Sequence, residues 1–293
     1  VKLNRRILIV LLVLSPVIAG VILQVFYAES DSAATGFKKL GIVRVEGEIF
    51  ESESVVKQLQ QMRSDNLIAG VLLRVDSPGG ATAPSQEIYH AVSGYRGGDK
   101  PVVVSMGNVA ASGGYYISAP ATKIFADPGT LTGSIGVIMS FPIYKDLAKK
   151  IGVDMQTLKS GHFKDISNPY RTMTAEERVM LQQLLEDTHD QFIADVAVSR
   201  SLNRDSLEMI ADGRIFTGRQ AIKVGLVDTL GGYESALAYL RHITGLGPAA
   251  RLVDKRETTT KMREWLYNEM MHVFPSLLRV LSPIGTYCLA VFG

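Results

Sequence analysis

Two stretches constrain the fold of this chain most tightly: "AGVLLRVDSPGG" from Ala69 and "PVVVSMGNVAASGG" from Pro101. Each is a nearly continuous apolar run, rich in β-branched residues, that stops at a cluster of small residues. Strands buried on both faces have this composition, and they sit inside parallel sheets with helices packed on either side. The flanking sequence supplies those helices. "SVVKQLQQMR" places Val55, Val56, Leu59 and Met62 at helical intervals, and "SQEIYHAV" continues after the first small-residue turn. A long helix is predicted from Thr174 to Ser201, opened by a capping-box pattern, Thr174 with Glu177 three residues on. "GIVRVEGEIF", with Ile42, Val43 and Val45, reads as another strand; "IGVIM" from Ile135 and "VDMQTL" from Val153 read as two short ones. "FTGRQAIKVGLVDTLGGYESALAYL" reads as helix, strand, helix. The alternation predicts an α/β domain with a largely parallel sheet over residues 40–245.

The ends of the chain have another character. Lys2, Arg5 and Arg6 precede the uncharged run Ile7–Ala28. That run meets the length of roughly 20 residues needed to cross a bilayer's hydrocarbon. Residues 1–28 therefore read as a basic cytoplasmic flank and a transmembrane anchor, and residues 29–39 as a polar linker. Positive charge stays on the cytoplasmic side, so the remainder is expected on the extracytoplasmic face of a bacterial-type cytoplasmic membrane. A cleaved secretory signal is the competing reading, with Ser32–Ala34 as a possible cleavage site. The apolar core of such signals runs only about 7–15 residues. Residues 246–293 read as a charged connector, "RLVDKRETTTKMREW", and an apolar tail interrupted by Arg279, Pro283 and Gly285, suited to packing or to a membrane surface.

Composition removes several function classes. With 31 basic and 29 acidic residues, the net charge is +2, which makes no basic field for nucleic acid. The single cysteine, Cys288, rules out an intrachain disulfide, a two-cysteine redox motif and a multi-cysteine zinc cluster. No motif calls for a cofactor or a metal.

The chemistry-bearing candidates lie where the two buried strands end, at Asp76–Gly80 and Ala110–Gly114. The carboxyl ends of parallel strands are where α/β folds build their sites. Glycines there let backbone approach a ligand, and a helix starting at Ser112 would present free N–H groups. One N–H from each turn could hold an oxyanion, as acyl transfer requires. A plainer reading makes Ser112 a helix N-cap and "SPGG" an ordinary turn. If Ser112 is a nucleophile it needs a base. His162 could complete a Ser/His pair. Lys159 or Lys164, made neutral by burial, could serve in a Ser-Lys arrangement. Spacing alone leaves all three open.

Four motifs in order carry a resemblance: "VDSPGG", "NVAASGGYYISAPATKIFADPGTLTGSIGVI", "LKSGHFKDISNPYRTMTAEE" and "DGRIFTGRQAIKVGLVDTLGG". Across roughly residues 40–240 the chain resembles the signal peptide peptidase A family of membrane-bound serine proteases, in its short one-domain form. The resemblance implies the crotonase-like α/β fold shared with the caseinolytic protease ClpP, here with an N-terminal transmembrane helix. By position it implies Ser112 as nucleophile, Lys164 as general base, Ser134 as the hydroxyl that orients the lysine, and Gly80 and Gly113 as oxyanion donors. ClpP uses a Ser-His-Asp triad, whereas no histidine occurs here from Gly113 through Gly161, which favours the lysine. Asp165, adjacent to the lysine, is expected to have no catalytic role, and His162 to be a loop residue. The resemblance further implies a homo-oligomer with active sites composed between neighbouring subunits, acting on remnant signal peptides at the lipid bilayer. Alternatives are a related Ser-Lys protease with another membrane-protein substrate, a crotonase-like acyl-thioester enzyme, or a non-catalytic scaffold. A lysine base implies a rate that rises from neutral to alkaline pH; a break near the reference histidine value of about 6.5 would implicate His162.

Overall fold

The computed structural model describes residues 38–254. The expected anchor, most of the linker and the apolar tail lie outside the described residues. Among the described residues, no helix is long and apolar enough to cross a membrane.

In chain order the elements are β1 (Lys39–Glu46), α1 (Glu53–Ser64), β2 (Ile68–Ser77), α2 (Thr82–Ser93), β3 (Val102–Ala111), α3 (Gly113–Ser118), β4 (Lys123–Ala126), β5 (Leu131–Gly133) and α4 (Lys145–Lys150). They continue with α5 (Ala175–Arg200), α6 (Arg204–Glu208), β6 (Ile215–Thr217), α7 (Gly218–Lys223), β7 (Thr229–Leu230), α8 (Tyr233–Ile243) and β8 (Leu252–Asp254). The strands form one sheet in the order β6-β5-β3-β2-β1-β8, with β4 bridging β3 and β7. Every pairing is parallel except β5 with β6. This mixed α/β sheet flanked by helices fits the crotonase- and ClpP-like expectation.

Both faces of the central strands are buried, as their apolar runs require. On one face Val71, Leu73 and Val75 of β2 join Val102, Val104 and Met106 of β3 under Leu59, Ile88, Phe192 and Val196 from α1, α2 and α5. On the other, Leu72 and Val103 meet Leu237 and Leu240 of α8. The period-2 alternation of side chains along each strand makes this division.

The β2–β3 pairing carries the irregularity that matters for function. Val75 pairs with Met106 but Ser77 with Ala110, so β3 holds extra residues opposite Asp76. The Asp76 carboxylate accepts the Val109 N–H at 3.0 Å, replacing a ladder bond lost there. Downstream, β3 leaves β4 and pairs with β5, Ala111 opposite Gly133. Ser112 and Ser134, the next residue of each strand, thus emerge side by side at the same end of the sheet.

Two of the expected strands are absent. Residues 135–144 and 151–173 hold neither helix nor strand. Ile135 is buried and its carbonyl accepts the Gly213 N–H at 3.0 Å, just past the β5–β6 pairing, but Ile138, Met139, Val153, Met155 and Leu158 are exposed. β-Branched residues favour a strand only where a sheet receives them. The sheet also takes in β8, which pairs with β1 from within the stretch whose charge suggests a connector.

Candidate active site

Ser112 occupies the turn from β3 into α3 with φ 52° and ψ −122°. A non-glycine residue at such angles costs about 1–3 kcal/mol and persists only where its surroundings impose it. Here they do. The Ser112 N–H donates to the Gly133 carbonyl at 2.8 Å, and the Tyr116 N–H donates to the Ser112 carbonyl at 2.9 Å. The Ser112 hydroxyl makes no capping bond. Its position is that of an N-cap, but its oxygen is left free for something else. Ser134 is the second strained serine, with φ 50°. Its N–H donates to the Arg214 carbonyl at 2.8 Å.

A cavity of about 700 Å³ holds Ser112, Gly113, Gly79, Gly80 and Ser134 on one side. The two glycine turns interlock. A Cβ on Gly79 would fall 2.6 Å from the Gly113 nitrogen and 2.9 Å from the Ser112 Cβ, so only glycine allows this approach. Gly80 is held from behind by Ile49, whose N–H donates to the Gly79 carbonyl at 2.9 Å and whose carbonyl accepts from Ala81 at 2.7 Å. The Gly80 and Gly113 N–H groups have no acceptor among the described residues. Two unpaired N–H groups thus lie in the cavity beside a free serine hydroxyl.

The opposite wall is α5, through Gln182, Leu185, Glu186, His189 and Phe192, spaced as one face of a helix. The capping box at Thr174 is formed: Glu177 N–H donates to Thr174 Oγ1 at 3.2 Å and Thr174 N–H to Glu177 Oε2 at 2.8 Å. Tyr116 of α3 ties the walls together. Its ring stacks on Tyr89 at 4.6 Å and meets the Phe192 edge at 4.8 Å, and its hydroxyl donates to Asp195. Burial, then the Asp195 bond, push the Tyr116 hydroxyl far above its ordinary range, so it stays protonated. Asp212, also at the cavity, is gripped by Arg214 at 2.6 and 2.7 Å and held down to about 2.

The lysine candidates lie elsewhere. Lys164 is exposed on the 151–173 segment and does not line the cavity. Lys159 is committed to Asp165 at 2.7 Å and to the His162 carbonyl at 2.8 Å. His162 is exposed and pairs with Glu176 at 3.0 Å. The cavity's own histidine is His189, whose Nε2 lies 3.3 Å from the Ile135 carbonyl. Reading the sequence for bases near the serine missed it, because it sits inside a long helix. The spacing of His189 with Leu185 and Phe192 along α5 was the available signal. Within the described chain the fold therefore brings together Ser112, Ser134, Gly80 and Gly113, and leaves Lys164 outside.

Residues 96–246 match the family model of peptidase family S49. A protein bearing the name signal peptide peptidase SppA in Enterococcus faecium is 39% identical over 76% of this chain and 65% of its own. A Synechocystis protein named as a protease is 41% identical over 72% of this chain and 76% of its own. Protease 4 of Haemophilus influenzae is 32% identical over 82% of this chain but only 39% of its own length. The chain thus spans less than two thirds of some of the relatives it matches.

Proposed function

The chain belongs to peptidase family S49, a family of serine proteases, and on that premise we propose that it is an endopeptidase that attacks peptide bonds with Ser112. The observation that carries this reading is the strained Ser112 turn, whose uncapped hydroxyl shares one cavity with the unpaired Gly80 and Gly113 N–H groups. In the proposed reaction the Ser112 oxygen adds to the scissile carbonyl, and those two N–H groups receive the negative charge that develops on the carbonyl oxygen. The Ser112 proton passes to the neutral Lys164 amine, oriented by the Ser134 hydroxyl, and then to the departing amine. Water then adds to the acyl-enzyme carbonyl, giving one proton to the Lys164 amine, which passes it to the departing Ser112 oxygen as the ester bond breaks.

Because Lys164 lies outside its own chain's cavity, we propose that a second copy delivers it. The segment that bears it exposes several apolar side chains: Ile151 is 67% exposed and Leu158 fully so. Single exposed apolar residues are ordinary, but several gathered on one segment with no partner favour an interface. Covering that segment would also dry the amine and favour its neutral form. The apolar part of the cavity, with Tyr116, Val137, Leu185 and Phe192, suits a hydrophobic peptide. With the N-terminal anchor expected from sequence, remnant signal peptides at the extracytoplasmic membrane face are the proposed substrates. Confinement to the same membrane raises their effective concentration.

A serine-directed fluorophosphonate probe tests the nucleophile. Detergent-solubilised wild type should be labelled at Ser112 and should hydrolyse a fluorogenic apolar peptide, and Ser112→Ala should lose both. Labelling of another side chain, or turnover persisting in Ser112→Ala, overturns the reading.

His189 supports one rival: a Ser-His pair within a single chain, since it shares the cavity with Ser112.

A further inference from the structure

Lys164 stands on a segment without helix or strand, so something other than a backbone ladder must fix its direction. Asp165, the next residue, provides the attachment. Its Oδ1 accepts from Lys159 at 2.7 Å and its Oδ2 from the Arg171 Nε at 2.8 Å, while Arg171 Nη2 donates to the Asp165 backbone carbonyl at 2.9 Å. The other edge of the same guanidinium holds Glu177: Nη1 donates to Oε2 at 2.8 Å, and Nη2 also donates to Oε1. Glu177 is 1% exposed and is the acidic member of the α5 capping box. A continuous path of charge-assisted bonds therefore runs from the N-terminus of the longest helix, through Arg171, to the backbone beside Lys164. Short turns complete the mount: Lys164 N–H to the Gly161 carbonyl at 3.1 Å and Asn168 N–H to the Asp165 carbonyl at 3.0 Å.

We propose that Arg171 is a positioning residue for catalysis, clamping Asp165 to Glu177 so that the turn carrying Lys164 is presented in one fixed direction to a neighbouring copy's cavity. This rests on the reading of Lys164 as the base. Arginine suits the task because its planar fork can bind a carboxylate on each edge, which a lysine ammonium cannot do with the same geometry. Both carboxylates keep their charge under working conditions. Arg171 holds Glu177 down to about 2 and, with Lys159, pulls Asp165 lower still. The clamp thus stays closed across neutral and alkaline pH. Its loss should change how often the amine is in line, and leave the shape of the pH profile unchanged.

The test compares Arg171→Ala, Arg171→Lys and Lys164→Ala in the full-length, detergent-solubilised protein, with melting temperature and assembly size measured alongside. Arg171→Ala is expected to lower kcat on the order of 10²-fold, the scale of a misplaced catalytic group, with KM within a few-fold of wild type. Arg171→Lys should fall between, and millimolar guanidinium added to Arg171→Ala should restore part of kcat. Guanidinium should do nothing for Lys164→Ala. Wild-type kcat in Arg171→Ala beside an inactive Lys164→Ala overturns the clamp and leaves the base reading standing. An active Lys164→Ala overturns both. Should Arg171→Ala fail to fold, Asp165→Asn cuts the other end of the clamp while preserving side-chain shape. A folded Asp165→Asn with wild-type kcat then overturns the proposal.

Discussion

Lys164→Arg is expected to abolish peptide hydrolysis, by on the order of 10³-fold or more in kcat, while leaving melting temperature unchanged. The loss is chemical: a guanidinium cannot give up its proton at any working pH and so cannot accept one from Ser112. The unchanged stability follows from the structure. Within its own chain the Lys164 side chain is exposed and makes no hydrogen bond or ion pair among the described residues, so the chain's fold loses no contact when the head is enlarged. Steady-state assay of a fluorogenic peptide beside thermal denaturation checks both halves. His189→Gln should retain kcat within about ten-fold of wild type, since it would lose at most the contact to the Ile135 carbonyl, worth about 1 kcal/mol. A fully active Lys164→Arg together with a dead His189→Gln would transfer the base role to the histidine.

Gly79→Ala should damage both activity and stability. Gly79 has φ 101°, a region side chains rarely enter, and the added methyl would sit 2.6 Å from the Gly113 nitrogen and 3.1 Å from the Ala111 carbonyl. Those are backbone atoms of the nucleophile's own turn, so relief requires moving Ser112 or Gly113. Backbone strain and overpacking together amount to about 2–5 kcal/mol, which for a domain of this size lowers the melting temperature by on the order of 10 °C. A displacement that takes an oxyanion donor out of hydrogen-bond reach should cost on the order of 10²-fold in kcat. Gly97→Ala is the control. Its φ of 76° is also positive, but nothing lies within 4 Å of the added methyl. It should lose only about 1 kcal/mol and keep full activity. Equal behaviour of the two variants would mean that the contact between the glycine turns is unimportant.

How much of this was legible beforehand depends on where each signal resides. α5 was legible to within a residue, because its start is encoded locally by Thr174 and Glu177, and the capping box forms as the pattern requires. β2 and β3 were legible because continuous β-branched runs have few other uses. The short β4 and β5 were not singled out: three or four residues become a strand only when β3 offers its edge. The same logic explains the two strands that were expected and are missing. "IGVIM" and "VDMQTL" have strand composition, yet beyond the Gly213 N–H bond to the Ile135 carbonyl neither forms a ladder. At the site, the glycine turns flagged Ser112 and its neighbours, and the strand register between Ala111 and Gly133 brings Ser134 alongside. The clamp between Arg171, Asp165 and Glu177 was invisible, since i,i+6 pairs along an irregular segment follow no periodicity. Composition could not say that the candidate base would stand outside its own chain's cavity, because that depends on where a long unpartnered segment points.

The most direct measurement is complementation between two inactive chains. Ser112→Ala and Lys164→Ala, each expected to be dead alone, are co-expressed with different affinity tags, and mixed assemblies are isolated by tandem purification. If a cavity takes its serine from one copy and its lysine from the next around a head-to-tail assembly, random mixing rebuilds roughly a quarter of the sites, and activity returns to about that fraction of wild type. Mixed assemblies that are verified by both tags yet hydrolyse nothing would place nucleophile and base in the same chain.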